Sequence, residues 1–364
     1  MIRLAAVIET FEADLVAQYR DRLTPEHTRA LAAMKHCRTQ ASPKMQVQCS
    51  GCAHRMLVPH SCGHRHCPHC QHHESQQWLE RQMSKQVPAE YFLLTFTLPA
   101  EFRALAMAHQ GIVYDLLMRC SWETLRTFSH NDRQLRGTPG AIAVLHTNTR
   151  RLDYHPHVHL VMPAAALDAA QRQWRKKRRG YLFKHKALAK VFRAKLLSAL
   201  TAAGLALPPR HPTRWVVDCK SVGSGDKALV YLGRYLYRGV IREQDIVAVG
   251  SGQVRFRYRN AKTGKREIRT VSGADFLWLV LQHVLPKGFR RARNFGFLHP
   301  NCKRLIALLQ LLLKFVPGQA PAKARPPVLC PCCGAAMAIV KTRLRPSFAG
   351  PMPVPIAGGV QLTM

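Results

Sequence analysis

The stretch YHPHVHLVMP, residues 154–163, constrains the fold of this 364-residue chain more than any other segment. Along an extended strand the side chains alternate, so His157 and His159 share one face while Val158 and Leu160 share the other and enter a core. The preceding run GAIAVLHTNT is a second strand, and the polar residues Arg150 to Asp153 between them form a turn. An antiparallel hairpin follows. Two neutral imidazoles side by side on its polar face can grip a divalent metal ion, although a pair of surface histidines is the ordinary reading of an isolated H-x-H.

The flanking segments extend this pattern. YFLLTFTLP, from Tyr91 to Pro99, is rich in β-branched and aromatic residues and reads as a buried strand. Residues 101 to 129 repeat apolar positions with helical spacing, RWVVDCKSV supplies another strand, and GDKALVYLGRYLYRGVI begins as a helix. Strand, helix, hairpin, helix, strand, helix suits an α+β fold with an antiparallel sheet. Tyr231 and Tyr235 are four residues apart in the last helix, hence on one face, with Arg234 and Arg238 beside them. By itself such a tyrosine stripe is ordinary core packing.

Lysine and arginine total 55 against 20 acidic residues, a net charge of +35 that points to a polyanionic partner, nucleic acid first. The N-terminus reads as a charged amphipathic helix without a cleavage site, and no apolar run approaches the ~20 residues that span a bilayer. A cytoplasmic, nucleoid-associated protein without a membrane partner is expected. In a reducing compartment, twelve cysteines argue for metal ligation before disulfides. Cys49 with Cys52 and Cys67 with Cys70 are two C-x-x-C knuckles, and together they predict a closed structural Zn2+ site. Cys62 and His60, His64, His66 and His69 lie close enough in sequence to leave ligand exchange or a second partial site open. Near the C-terminus, CPCCGAAMAIVKTR resembles half of a zinc ribbon through Cys330 and Cys333, with His299 and Cys302 as candidate partners.

The run RQWRKKRRGYLFKHK concentrates charge at Arg172, Arg175, Lys176, Lys177, Arg178 and Arg179 with no acidic residue inside it, and reads as a phosphate track. Trp174, Tyr181 and Phe183 interleave with it as candidate stacking platforms for unpaired bases. KGFRRARNFGF, residues 287–297, is a second basic patch. The expected organisation is an N-terminal helical segment (1–36), a zinc-binding domain (37–88), a catalytic domain (89–250), a hairpin plus helices (251–315), and a Pro-rich linker with a C-terminal cysteine cluster (316–364), its end from Arg345 loosely ordered.

YFLLTFTLP, HPHVHLVMP and YLGRY, in that order, resemble the three motifs of HUH endonucleases, in particular the two-tyrosine transposases of the insertion sequence 91 family. SCGHRHCPHCQ resembles that family's zinc-binding segment, and the likeness runs from about residue 10 to 340. The resemblance implies a ferredoxin-like or RRM-like core. It also implies Mg2+ or Mn2+ at His157 and His159, attack by Tyr231 or Tyr235 on single-stranded DNA at transposon ends or target, a 5′-phosphotyrosine intermediate, and rolling-circle transposition. It gives no third metal ligand: His155, His146 and Asp226 are all candidates, and oligomeric state and the order of the tyrosines stay open. The alternatives are a non-catalytic zinc-containing DNA-binding protein, or a zinc hydrolase, the latter weakened by the lack of an H-E-x-x-H motif or a nearby carboxylate base.

Overall fold

The computed structural model describes residues 2–168, 170, 173–177, 180–237, 239–321 and 327–344. In chain order these give helices α1 (Leu4–Tyr19) and α2 (Pro25–Lys35), strands β1 (Lys44–Cys49) and β2 (Arg55–Pro59), helix α3 (His72–Met83), strand β3 (Tyr91–Thr97), and helices α4 (Arg103–Ala108) and α5 (Gln110–Asn131). Strands β4 (Thr138–Asn148), β5 (Tyr154–Pro163), β6 (Ala165–Asp168) and β7 (Gln173–Lys176) follow, then helix α6 (His185–Ala202), strand β8 (Val217–Ser221) and helix α7 (Asp226–Leu236). Strands β9 (Ile246–Gly250), β10 (Gln253–Arg259) and β11 (Arg266–Ser272), helix α8 (Gly273–Leu281), strand β12 (Ala292–Gly296), helix α9 (Lys303–Leu312), and strands β13 (Val328–Leu329) and β14 (Ala336–Leu344) complete the described chain. None of the described helices is long and apolar enough to cross a membrane.

Two compact units form, one from Met1–Lys35 with Gly63–Ala324, the other from His36–Cys62 with Arg325–Met364. The first is an α+β unit around an antiparallel sheet of order β7-β6-β4-β5-β3-β8, with β12 also paired to β4. Its central strands run β4-β5-β3-β8, and with α5 between β3 and β4 and α6 between β5 and β8 this is the β-α-β-β-α-β order of a ferredoxin-like core. Strand alternation sorts the core. Phe92, Leu94, Phe96, Ala143, Leu145, Val158 and Leu160 join a cluster with α5 and α6, whereas Ile142, Val144 and Val161 face a second cluster with Trp78, Leu79, Leu229, Leu232 and Leu236 of α3 and α7. The sheet is therefore covered on both faces, and the polar positions of β5 point toward the tyrosine helix. A glycine starts that helix for a geometric reason: Gly225 has φ +84°, and a Cβ there would meet the Tyr91 ring at 2.7 Å. The same unit carries a three-stranded sheet, β11-β10-β9, whose Phe256 packs on Phe276 of α8 with ring centroids 5.6 Å apart.

The second unit is an antiparallel sheet of order β13-β14-β1-β2. Its buried core is Val47, Cys49, Cys330 and Met337. So small an apolar core needs a staple. The strands also explain why the units divide the chain differently from a linear reading that keeps 37–88 whole and sets 316–364 apart: β1 pairs with β14, Cys49 opposite Met337, so segments far apart in the sequence are strand neighbours. The reading of the end from Arg345 falls outside the described residues.

Candidate active site

The β4–β5 hairpin places His146 directly across from His157, and Val144 across from His159. Cross-strand partners share a face. His146, His157 and His159 each offer a ring nitrogen, and the three ligand atoms lie within 4.8 Å of one another. Among the described residues His155 belongs to no such group; its Nδ1 accepts from Arg103 Nη2 at 2.8 Å. Asp226 is likewise occupied, with Ser224 Oγ donating at 2.7 Å and Gln86 Nε2 donating to its other oxygen. Of the three candidates for a third ligand, His146 is the one grouped with the H-x-H pair.

The surroundings favour neutral, oriented rings. Burial holds His157 down to about 4 and His159 to about 3, and burial together with the neighbouring His159 and His157 pushes His146 well below the usual imidazole range. His157 Nδ1 lies 2.7 Å from the His155 carbonyl, which accepts its proton, and Thr95 Oγ1 is 3.0 Å from His159 Nδ1. Both contacts leave Nε2 as the ligand atom. His146 is buried, and its Nε2 has no hydrogen-bond partner among the described residues. An unpaired nitrogen beside two neutral imidazoles fits a divalent cation.

The two tyrosines of α7 face this group in different states. Tyr231 is 48% exposed, its ring 6.0 Å from His159 and 6.2 Å from His146. Tyr235 stacks on His146 at 3.3 Å with an interplanar angle of 8°. Its hydroxyl donates to Asn148 Oδ1 and accepts from the Thr147 amide at 3.3 Å, while the Arg291 guanidinium covers its ring at 4.7 Å. Burial raises both phenols; at Tyr235 the Arg291 charge opposes the rise. Thr95, Asn148 and Arg291 were not singled out by sequence. Thr95 shows only as a polar residue in an apolar strand, and Arg291 is one cation in a basic patch.

A cleft of about 690 Å³ opens over the tyrosines and histidines, lined by Arg234 among several arginines. Within the basic run at 172–186, two of the described cations are paired. Arg175 pairs with Asp168 at 2.9 Å, and Lys177 pairs with Asp132 and donates to the Leu182 carbonyl at 2.7 Å, so acids outside the run balance these two cations. Trp174 packs edge-on against Phe297 at 5.3 Å, and Phe183 is buried, so these rings are core rather than stacking platforms; Tyr181 is exposed. Lys176 is exposed on the edge strand β7. Arg172, Arg178, Arg179 and Arg238 lie outside the described residues.

The cysteines pair differently from the expected set. Cys49 and Cys52 meet Cys330 and Cys333, all four sulfurs within 4.8 Å of one another, rather than Cys67 and Cys70. The β1–β14 pairing brings the two knuckles to one end of the sheet, with Cys49 Sγ 3.4 Å from Cys333 Sγ and Cys52 Sγ 3.6 Å from Cys330 Sγ. The Gly51 amide donates to Cys49 Sγ at 3.2 Å. Four thiols converging from two knuckles, none in a disulfide, fit a closed tetrahedral zinc site. The half-ribbon at Cys330 and Cys333 is thus completed by Cys49 and Cys52; His299 caps the Asn301 amide, and Cys302 contacts the Gly296 carbonyl. Cys67 and Cys70 are buried in the first unit, where the Cys70 amide donates to the Cys67 carbonyl at 3.3 Å. A Cys49→Ser, Cys330→Ser variant is expected to lose one zinc equivalent per chain by elemental analysis and to become protease-sensitive in residues 36–62. Unchanged zinc content would exclude this site.

Two family models match the chain: a "Transposase zinc-binding domain" over residues 7–98, and a family described as "Putative transposase" over residues 140–305. The class is therefore a transposase with a zinc-binding domain. The chain is 33% identical to "Putative transposase y4qJ" of Sinorhizobium fredii, over 86% of each protein. It is 30% identical to the transposase for insertion sequence element IS801 of Pseudomonas savastanoi pv. phaseolicola, over 79% of this chain and 76% of that one. The chain belongs to the insertion sequence 91 family of transposases. Among solved structures it is similar to the conjugative relaxase TrwC in complexes with oriT DNA. These matches have 20% identity and TM-scores of 0.26 and 0.25, and they span 48% of the relaxase chain and 34–35% of this one.

Proposed function

We propose that this transposase nicks and rejoins single-stranded DNA at transposon ends through a 5′-phosphotyrosine, in rolling-circle transposition. The observation that supports this reading is the three-nitrogen group of His146, His157 and His159 facing an exposed Tyr231. These histidines would hold the catalytic divalent ion, which when bound polarises a phosphoryl oxygen and offsets transition-state charge. Thr95 and the His155 carbonyl hold the rings in their ligating orientation. Tyr231 Oη forms the bond to phosphorus as the bond from phosphorus to the 3′ oxygen breaks; the phenol gives up its proton and the departing 3′ oxygen gains one. The phosphodiester bond is conserved as the tyrosyl ester, so a strand carrying a 3′-hydroxyl can reverse the step. Tyr235, released from its stack, would perform the second cleavage. Arg234 in the cleft, and Arg238 beside it in sequence, would hold phosphates.

Incubating the protein with labelled single-stranded transposon-end DNA and a divalent ion should give a protein-linked strand on a denaturing gel. Three imidazole donors favour Mn2+ over the harder Mg2+, so half-maximal adduct formation is expected at roughly tenfold lower Mn2+ than Mg2+. Three histidines are also a donor set of catalytic zinc, which favours a zinc hydrolase as the second reading. A hydrolase would release cut strands with no protein-linked product. Binding without cutting would identify a DNA-binding protein only.

A further inference from the structure

We infer that the outer face of β10–β11 is the track along which the single-stranded DNA lies as it enters the tyrosine cleft; this rests on the function proposed above. Arg255, Arg257 and Arg259 alternate with Val254 and Phe256, which are buried, so the three guanidiniums project from one exposed face about 7 Å apart. Arg266 stands directly opposite Arg259 in the antiparallel register. Like charges facing across a strand pair destabilise it. No carboxylate offsets them: among the described residues none of the four arginines has an acidic partner, and Glu267 on the other face is held by Tyr258 and Asn260. Arg257, Arg259 and Arg266 also line the cleft that contains His146, Tyr231 and Tyr235. The acidic lining residue, Asp245, is taken by Arg242. Arg257 and Arg259 donate to the Gln244 and Gly264 carbonyls, which carry no negative charge, so cations spaced along one face and continuous with the site fit a polyanion. Ile268, 49% exposed opposite Arg257, offers an apolar contact to an unpaired base that a duplex would withhold. This face differs from the run at 172–179, whose Arg175 and Lys177 already have carboxylate partners.

The test uses the full chain carrying Tyr231→Phe and Tyr235→Phe, so that no strand is cut, and fluorescence anisotropy of a labelled oligothymidylate. Adding Arg257→Gln, Arg259→Gln and Arg266→Gln should weaken binding about 10²-fold at 0.1 M salt and lower the log-log salt slope by about 2, at roughly 0.7 per lost phosphate contact. The matching Arg→Lys triple variant should keep most of the slope, which separates charge from misfolding. Arg175→Gln with Lys177→Gln, the two cations already paired with carboxylates, should change the slope by less than one contact. An unchanged slope in the Gln triple variant, or equal binding and equal loss on an oligothymidylate–oligoadenylate duplex, would overturn the assignment. If the parent chain with both tyrosines forms no covalent adduct while the slope change persists, the proposed reaction fails and the track stands.

Discussion

Tyr231→Phe is expected to remove the protein-linked strand, lowering the rate of first cleavage at least about 10³-fold, or about 4 kcal/mol of transition-state stabilisation. Tyr235→Phe is expected to leave first cleavage within about tenfold of the parent and to block the second transfer. The difference follows from how α7 presents the two phenols. Tyr231 is exposed above His159 and His146, whereas Tyr235 is held by the His146 stack, Asn148, the Thr147 amide and Arg291. To attack first, Tyr235 would have to forfeit a stacked pair worth about 0.5–1.5 kcal/mol and hydrogen bonds worth about 1 kcal/mol each. Single-turnover rates of adduct formation for both variants check this ordering. Equal loss in the two single variants would contradict it.

His146→Ala is expected to slow adduct formation about 10²- to 10⁴-fold, the several kcal/mol that a bound cation contributes, with part of the loss recovered at high Mn2+. Removing the ring also frees Tyr235, so the residual adduct should shift toward that residue. Thr95→Val should give a milder loss of about 10- to 100-fold, since it only releases the orientation of His159. The readout is adduct rate against Mn2+ concentration. A His146→Ala protein with parental Mn2+ dependence would remove His146 from the ligand set.

The order of strands and helices was legible because local periodicity carries it. Val158 and Leu160 are buried, β4 and β5 form the hairpin, and Leu229, Leu232 and Leu236 seat α7 so that its tyrosines face the sheet. The third histidine was legible only as a candidate. Pairing His146 with His157 depends on hairpin register, and an irregularity between His146 and Asn148 breaks simple counting from the turn. The partner of the first cysteine knuckle was hidden for a different reason. C-x-x-C is a local signal, but its partner knuckle is chosen by a strand pairing that spans most of the chain, and a nearer knuckle at Cys67 and Cys70 looks equally suitable in one dimension. In the basic run, the pairing of Arg175 with Asp168 and of Lys177 with Asp132 was not legible either, since both acids lie outside the segment.

Mass spectrometry of the trapped adduct tests the central claim most directly. Trypsin cuts after Lys227 and Arg234, so Tyr231 falls on ALVYLGR and Tyr235 on the peptide that follows. After one turnover on single-stranded DNA followed by nuclease trimming, ALVYLGR should carry a nucleotide joined through its 5′ phosphate to Tyr231. Nucleotide on any residue other than these two tyrosines, or cut DNA with neither peptide modified, would contradict the account.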